Sequence, residues 1–215
     1  MKNFKFFLAL FICSQFFQTG CSRATPDANL SVTLQPDNNP NEWLLIKSGQ
    51  KIIADSHATD LAAASWTMGG FPVHIYGSVK FDLSAVPHGA SIVSAKLSLY
   101  SNPTPVSGDR THANFGKNND MILQRIIAPW SGAGETPLLP QTDSVSEIKI
   151  PAATRAGEDI SGVDVTEMVK EMRKYGNHGF FIRMQADALY RSRIFCSSKH
   201  EMVERHPMLF VVYKF

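Results

Sequence analysis

Polar and apolar residues alternate along the stretch from Gly77 to Ser101, GSVKFDLSAVPHGASIVSAKLSLYS. Val79, Phe81 and Leu83 interleave with Ser78, Lys80 and Asp82. Val93, Ala95, Leu97 and Leu99 interleave with Ser94, Lys96, Ser98 and Tyr100. A period of two places alternate side chains on opposite faces of an extended chain, one buried and one wet. Two such runs joined by a loop with Pro87 and Gly89 predict an antiparallel pair whose lysines and serines face water. Further short apolar stretches are SVTLQP, NEWLLIKSG, QKIIADS, DMILQRII, SEIKI, GFFIRMQ, RIFCS and MLFVVYKF. HATDLAAASW reads only as a small-residue segment, and MGGFP, from Met68 to Pro72, as a loop. Many short strands punctuated by proline and glycine predict an all-β fold, an antiparallel β-sandwich of jelly-roll type.

One stretch departs from that period. In GVDVTEMVKEMRKYGN, Val165, Met168, Val169 and Met172 fall at i, i+3, i+4 and i+7, the apolar stripe of a short helix near residues 164–175. Asp164 with Glu167 suits a capping box, with Thr166 as the alternative cap, while Lys170, Arg173 and Lys174 suit the negative C-terminal end. Gly176 ends the helix. The methionines read as core packing.

The N-terminus follows different rules. Lys2 and Lys5 precede an apolar run from Phe6 to Phe17, shorter than the about 20 residues that a membrane-spanning helix needs. The pattern fits a signal peptide over residues 1–20. Gln18-Thr19-Gly20-Cys21 resembles a bacterial lipobox, with Gln18 where leucine is usual, so Cys21 is the expected lipidation site. Ordinary secretion with cleavage near Ala24 is the alternative. Residues 21–29 then read as a tether and 30–215 as one folded domain, held outside the cytoplasm by a lipid on a bacterial membrane, with the outer membrane or cell surface the expected place.

Charge and cysteine usage sharpen this picture. The chain carries 21 Lys and Arg against 19 Asp and Glu; without Lys2 and Lys5 the balance is 21 − 2 = 19 against 19. A neutral domain has no overall field for holding nucleic acid or an anionic membrane, so electrostatic recognition must be local. Of the three cysteines, Cys13 lies in the signal and Cys21 takes the lipid, which leaves Cys196 without a disulfide partner. No CxxC or HExxH pattern points to structural zinc.

Six segments in order resemble the DNRLRE domain, related to carbohydrate-binding module family 96: SVKFDLSAVPHGASIVSAKLSLYS, LQRIIAPW, DVTEMVKEM, NHGFFIRMQ, YRSRIFCSS and RHPMLFVVY. LQPDNNPNEWLL and AAASWTMGGFP resemble its N-terminal third, so the resemblance runs from about Leu34 to Tyr213. It implies a jelly-roll β-sandwich of extracellular and cell-surface proteins, some of which bind polysaccharides such as alginate, and it does not by itself imply catalysis. After Trp130 this chain has SGAGETPLLPQ where the family has a Thr-Trp-Asn segment, which marks that loop as remodelled.

The candidate contacts follow from residue chemistry. Arg191 and Arg193, two apart in YRSRIF, should leave an extended strand on the same side, roughly 6–7 Å apart. Guanidinium forks at that pitch suit successive carboxylates of an acidic glycan, with Tyr190, Lys199 and His200 nearby in sequence. The alternative is that both arginines pair with Asp187, Glu201 or Glu204 on a solvated surface. Trp66, beside the Gly-Gly loop, is a candidate sugar platform, whereas Trp130 reads as a core anchor. Asp37 and Asn39 belong to an oxygen-rich stretch that suits either calcium or a plain turn; no other cofactor is indicated. Catalytic motifs are absent, although Tyr190, Arg191 and His200 contain the residue types of a polysaccharide lyase. The sequence therefore predicts a non-catalytic domain that binds a polysaccharide, with docking on another cell-surface protein as the alternative.

Overall fold

The computed structural model describes residues 28–36 and 41–215. The signal peptide, Cys21, most of the tether, and Asp37 and Asn39 lie outside the described residues. Among the described residues, thirteen strands and one α-helix follow in chain order. The strands are β1 (Leu30–Leu34), β2 (Glu42–Ser48), β3 (Lys51–Asp55), β4 (Asp60–Met68), β5 (Phe71–Val79), β6 (Ser91–Leu99), β7 (Asn114–Phe115), β8 (Met121–Arg125) and β9 (Ile148–Ile150). After β10 (Ile160–Asp164) come α1 (Thr166–Tyr175), β11 (Phe180–Met184), β12 (Arg191–Cys196) and β13 (Met208–Lys214).

The smaller sheet has the order β1-β13-β6-β10, and the larger runs β7-β12-β4-β5-β11-β8-β9 with β2 on β5 and β3 on β2. All the strand pairings are antiparallel. The first strand lies beside the last, in a sheet completed by two strands from mid-chain, as in a jelly roll. A main core joins the two sheets through residues such as Leu97, Leu99 and Leu209 from the smaller and Leu61, Leu123, Phe180 and Phe195 from the larger. A second cluster gathers Leu44, Ala62, Ala64, Ile75 and Ile194, and a third gathers Leu45, Ile126 and Phe181. The all-β sandwich with one helix is as expected.

Residues 77–101 do not form a hairpin. Gly77 to Val79 end β5 in the larger sheet, whereas Ser91–Leu99 form β6 in the smaller one. The chain between them crosses from sheet to sheet, yet Phe81 and Leu83 stay buried, so alternation persists where the ladder has ended. Phe81 meets Phe180 edge-on at 6.2 Å, and Asn177 Nδ2 donates to its carbonyl at 2.7 Å. Ser78 and Ser98 are also buried rather than wet, and Ser98 Oγ accepts from the Gly162 N–H at 3.1 Å.

HATDLAAASW contributes most of β4, whose residues from Leu61 to Ser65 are buried on both sides. Small side chains let two layers approach, and they also erase the alternation that marks a half-buried strand. MGGFP is the hairpin turn between β4 and β5: Gly69 and Gly70 have φ of 57° and 84°, the left-handed pair that a tight two-residue hairpin turn requires.

The helix buries Met168, Val169 and Met172 as its spacing predicts. Its start is not a capping box. Asp164 Oδ1 accepts the Thr166 N–H at 3.0 Å and hydroxyl at 2.6 Å, while Glu167 reaches forward to Lys170 at 2.8 Å. Thr166 Oγ1 accepts from the Ala95 N–H at 2.9 Å, so the first residue of the helix also stitches it to the sheet. Lys96, first, and Thr166 hold the Asp164 carboxyl well below its ordinary range. Arg173 donates to the carbonyls of Val86, Pro87 and His88 and pins the crossover.

Candidate functional site

β12 lies antiparallel to β4 with Arg191 opposite Ser65 and Phe195 opposite Leu61. Arg191 and Arg193 do leave the strand on one side, the side that also carries Phe195 into the main core. Arg193 is therefore 1% exposed. Its Nε donates to Asn114 Oδ1 at 3.0 Å, its Nη1 to the Pro151 carbonyl at 2.9 Å, and its guanidinium lies 5.9 Å from the Phe195 ring centre. Burial lowers its pKa against the opposing charges of Glu158 and Asp120. This geometry removes Arg193 from the set of accessible contacts. Arg191, at the strand's outer end, is half-buried and donates to the Asn118 carbonyl at 3.1 Å.

His200 needs the same correction. It is 6% exposed, its Nδ1 accepts the Met202 N–H at 3.2 Å, and its Nε2 lies 3.3 Å from Thr104 Oγ1. Its carbonyl is 2.7 Å from His206 Nε2. These bonds knot the chain between β12 and β13. Lys199 sits in that knot, close enough to influence Glu42 electrostatically. Neither residue shares the surroundings of Tyr190, whose neighbour is Trp66.

Tyr190 and Trp66 come together, whereas Arg191, opposite Ser65, leaves β12 on the other face of the sheet from Trp66, which packs with Ala62, Ala64 and Ile194. Trp66 meets Tyr190 edge-on at 5.3 Å and, on another side, Phe115 at 5.3 Å, a favoured aromatic arrangement. Tyr190 is 52% exposed and has φ of 61°, a left-handed conformation that costs a non-glycine residue energy. Gly116, with φ of 84°, backs this conformation: a Cβ there would stand 2.3 Å from the Tyr190 carbonyl oxygen. Neither Phe115 nor Gly116 was legible as a site residue, because they lie in an irregular segment whose contact with Tyr190 is purely tertiary.

Trp66 also walls a groove of about 350 Å³, floored by Ile46, Val73 and Ile75 and rimmed by Val106, Gly108 and Arg110. Asp60 holds the rim by accepting the backbone N–H groups of Val106 at 3.1 Å and Ser107 at 2.7 Å, together with Asn102 Nδ2 at 2.7 Å. Arg110 is exposed, with φ of 61°. The groove thus offers an apolar floor, an aromatic wall and a cation at its lip.

Trp130 anchors the loop that follows it. Its Nε1 donates to the Leu138 carbonyl at 2.7 Å, and its ring meets Trp43 edge-on at 6.2 Å above the third cluster. Sequence reasoning also missed the buried carboxylate of Glu42, which is 4% exposed. Its Oε2 accepts the Ser198 N–H at 2.7 Å and the Ser198 hydroxyl, while Oε1 has no hydrogen-bond partner among the described residues. Burial pushes its pKa up, outweighing Ser198, Lys199 and His206. The Cys196 thiol, also buried, is pushed up to about 11, which makes it a poor nucleophile at neutral pH.

Among the described residues no group of three or more His, Cys, Asp or Glu side chains is placed to hold a metal ion, and no helix is long and apolar enough to cross a membrane. Compared with protein-family models and with curated proteins, the chain matches none.

Proposed function

We propose that this chain is a non-catalytic, extracytoplasmic domain on a lipid anchor that binds a polysaccharide through Trp66, Tyr190 and Arg191. The observation that carries this reading is the exposed Tyr190 ring set edge-on to Trp66 at 5.3 Å; Arg191 follows Tyr190 in the chain and leaves β12 at its outer end on the other face of the sheet. Aromatic rings take the apolar C–H faces of sugar rings, and an arginine takes a carboxylate bidentately. An acidic, alginate-like polymer is therefore the class that suits the site, in keeping with the resemblance to DNRLRE domains. The residue types of a lyase are held apart, since His200 is locked between Thr104 and Met202 while Tyr190 stands with Trp66.

Affinity electrophoresis of the full chain through gels containing alginate or a neutral glycan tests the reading. Alginate should retard the protein, and Trp66→Ala or Arg191→Ala should abolish the retardation. Normal migration in every polymer would sink the proposal. A docking subunit without a glycan site is the second reading, favoured by Leu138 and Val145, which stand 72% and 93% exposed in the remodelled loop region.

A further inference from the structure

The β4–β5 hairpin ends in Met68-Gly69-Gly70-Phe71, with Met68 paired to Phe71 across the turn. Both side chains project into solvent, 52% and 71% exposed. Ser48 Oγ donates to the Pro72 carbonyl at 3.3 Å, so the β2–β3 turn lies alongside and brings the exposed Lys51 with it. Arg110 shares the groove lining with Met68. The acids in reach are turned elsewhere: Asp109 Oδ2 accepts from the His112 backbone at 2.9 Å. Asp187 stands 3.8 Å from His74, which by alternation lies on the opposite face of β5 from Val73 and Ile75.

At the tip of a two-residue turn both apolar side chains remain exposed. A projecting methionine and phenylalanine bordered by cations match one environment well, the boundary between acyl chains and anionic headgroups. We infer that this end of the domain docks on an anionic lipid bilayer. Phe71 and Met68 enter the interfacial layer, and Lys51 and Arg110 meet lipid phosphates. The inference does not rest on glycan binding, because the hairpin tip lies beyond the Trp66–Tyr190 pair and its own chemistry carries the argument.

Hydrogen–deuterium exchange of the full chain, mixed with phosphatidylcholine vesicles with or without phosphatidylglycerol, reads the tip locally, whatever else in the chain associates with lipid. Amides of residues 67–73 should slow by about tenfold on the anionic vesicles. Met68→Ser with Phe71→Ser, both at exposed positions, should abolish the slowing. Lys51→Gln with Arg110→Gln should remove the difference between the two vesicle types. Exchange at 67–73 that is unchanged by vesicles, or equal on both kinds in the wild type, overturns the inference and leaves the tip to a protein partner. Slowing that survives in the double serine variant overturns it as well.

Discussion

Arg191 and Arg193 belong to one strand and leave it on one side, yet they live in different solvents. Arg193 is sealed against Asn114, Pro151 and the Phe195 ring, whereas Arg191 stands at the rim beside Tyr190 with a single bond to the Asn118 carbonyl. Period-two spacing reports which way a side chain points. Depth depends on where the strand ends relative to the partner layer, here on β7 and Pro151, which close over the inner position only. A buried guanidinium is held by structure, and a rim guanidinium is available for ligand.

Exchange at the two positions separates these roles most sharply. Arg193→Ala removes the donors that satisfy Asn114 Oδ1 and the Pro151 carbonyl and leaves a void beside Phe195. The expected cost is about 3 kcal/mol, a fall in Tm of roughly 6–12 °C for a domain of this size. Arg191→Ala should lower Tm by no more than about 2 °C and weaken retardation by alginate. Differential scanning calorimetry beside the gel assay checks both. Equal destabilisation by the two substitutions would contradict the division between rim and core.

The next largest effect bears on how the rim is supported. Gly116→Ala puts a Cβ 2.3 Å from the Tyr190 carbonyl oxygen at a residue with φ of 84°. Backbone must move to accommodate it, at an expected cost of about 2 kcal/mol. Because the displaced carbonyl belongs to Tyr190, glycan affinity should fall with stability. Unaltered affinity in a folded variant would show that Tyr190 does not need this backing.

These positions also show what was legible in the sequence. β6, β11 and β13 could be read because alternation or an apolar run faithfully reports burial, and α1 because Val165, Met168, Val169 and Met172 keep helical spacing. β4 could not, since its alanines are buried on both faces and carry no period. The alternation through Phe81 and Leu83 misled, because the crossover buries those residues without any strand pairing. In the candidate site, Trp66, Tyr190 and Arg191 were visible as residue types. The depth of Arg193 and His200, the carboxylate of Glu42 and the Gly116 contact were not, because each depends on which distant segment packs there.

Glu42 extends the contrast to pH. Its burial raises the folded-state pKa above the unfolded carboxylate value, so the folded chain holds the proton more tightly. Its contribution to stability is then greatest below the unfolded pKa and is lost as pH rises through the folded one. Acidification from neutral toward the ordinary carboxylate range should stabilise the domain through this group. Glu42→Gln, which cannot ionise, should flatten that part of the profile. Urea denaturation of both proteins across this range tests it; parallel profiles would exclude Glu42 as the source.

The smallest effect on stability belongs to Tyr190 and discriminates best between scaffold and site. Its φ of 61° costs a tyrosine about 1 kcal/mol that glycine would not incur, while its ring contact with Trp66 returns roughly 0.5–1.5 kcal/mol. Tyr190→Gly removes both, so the two changes should nearly cancel and leave Tm unchanged within about 2 °C. Glycan retardation should nevertheless disappear. Retained binding in Tyr190→Gly would shift glycan contact to Trp66 and Arg191 alone.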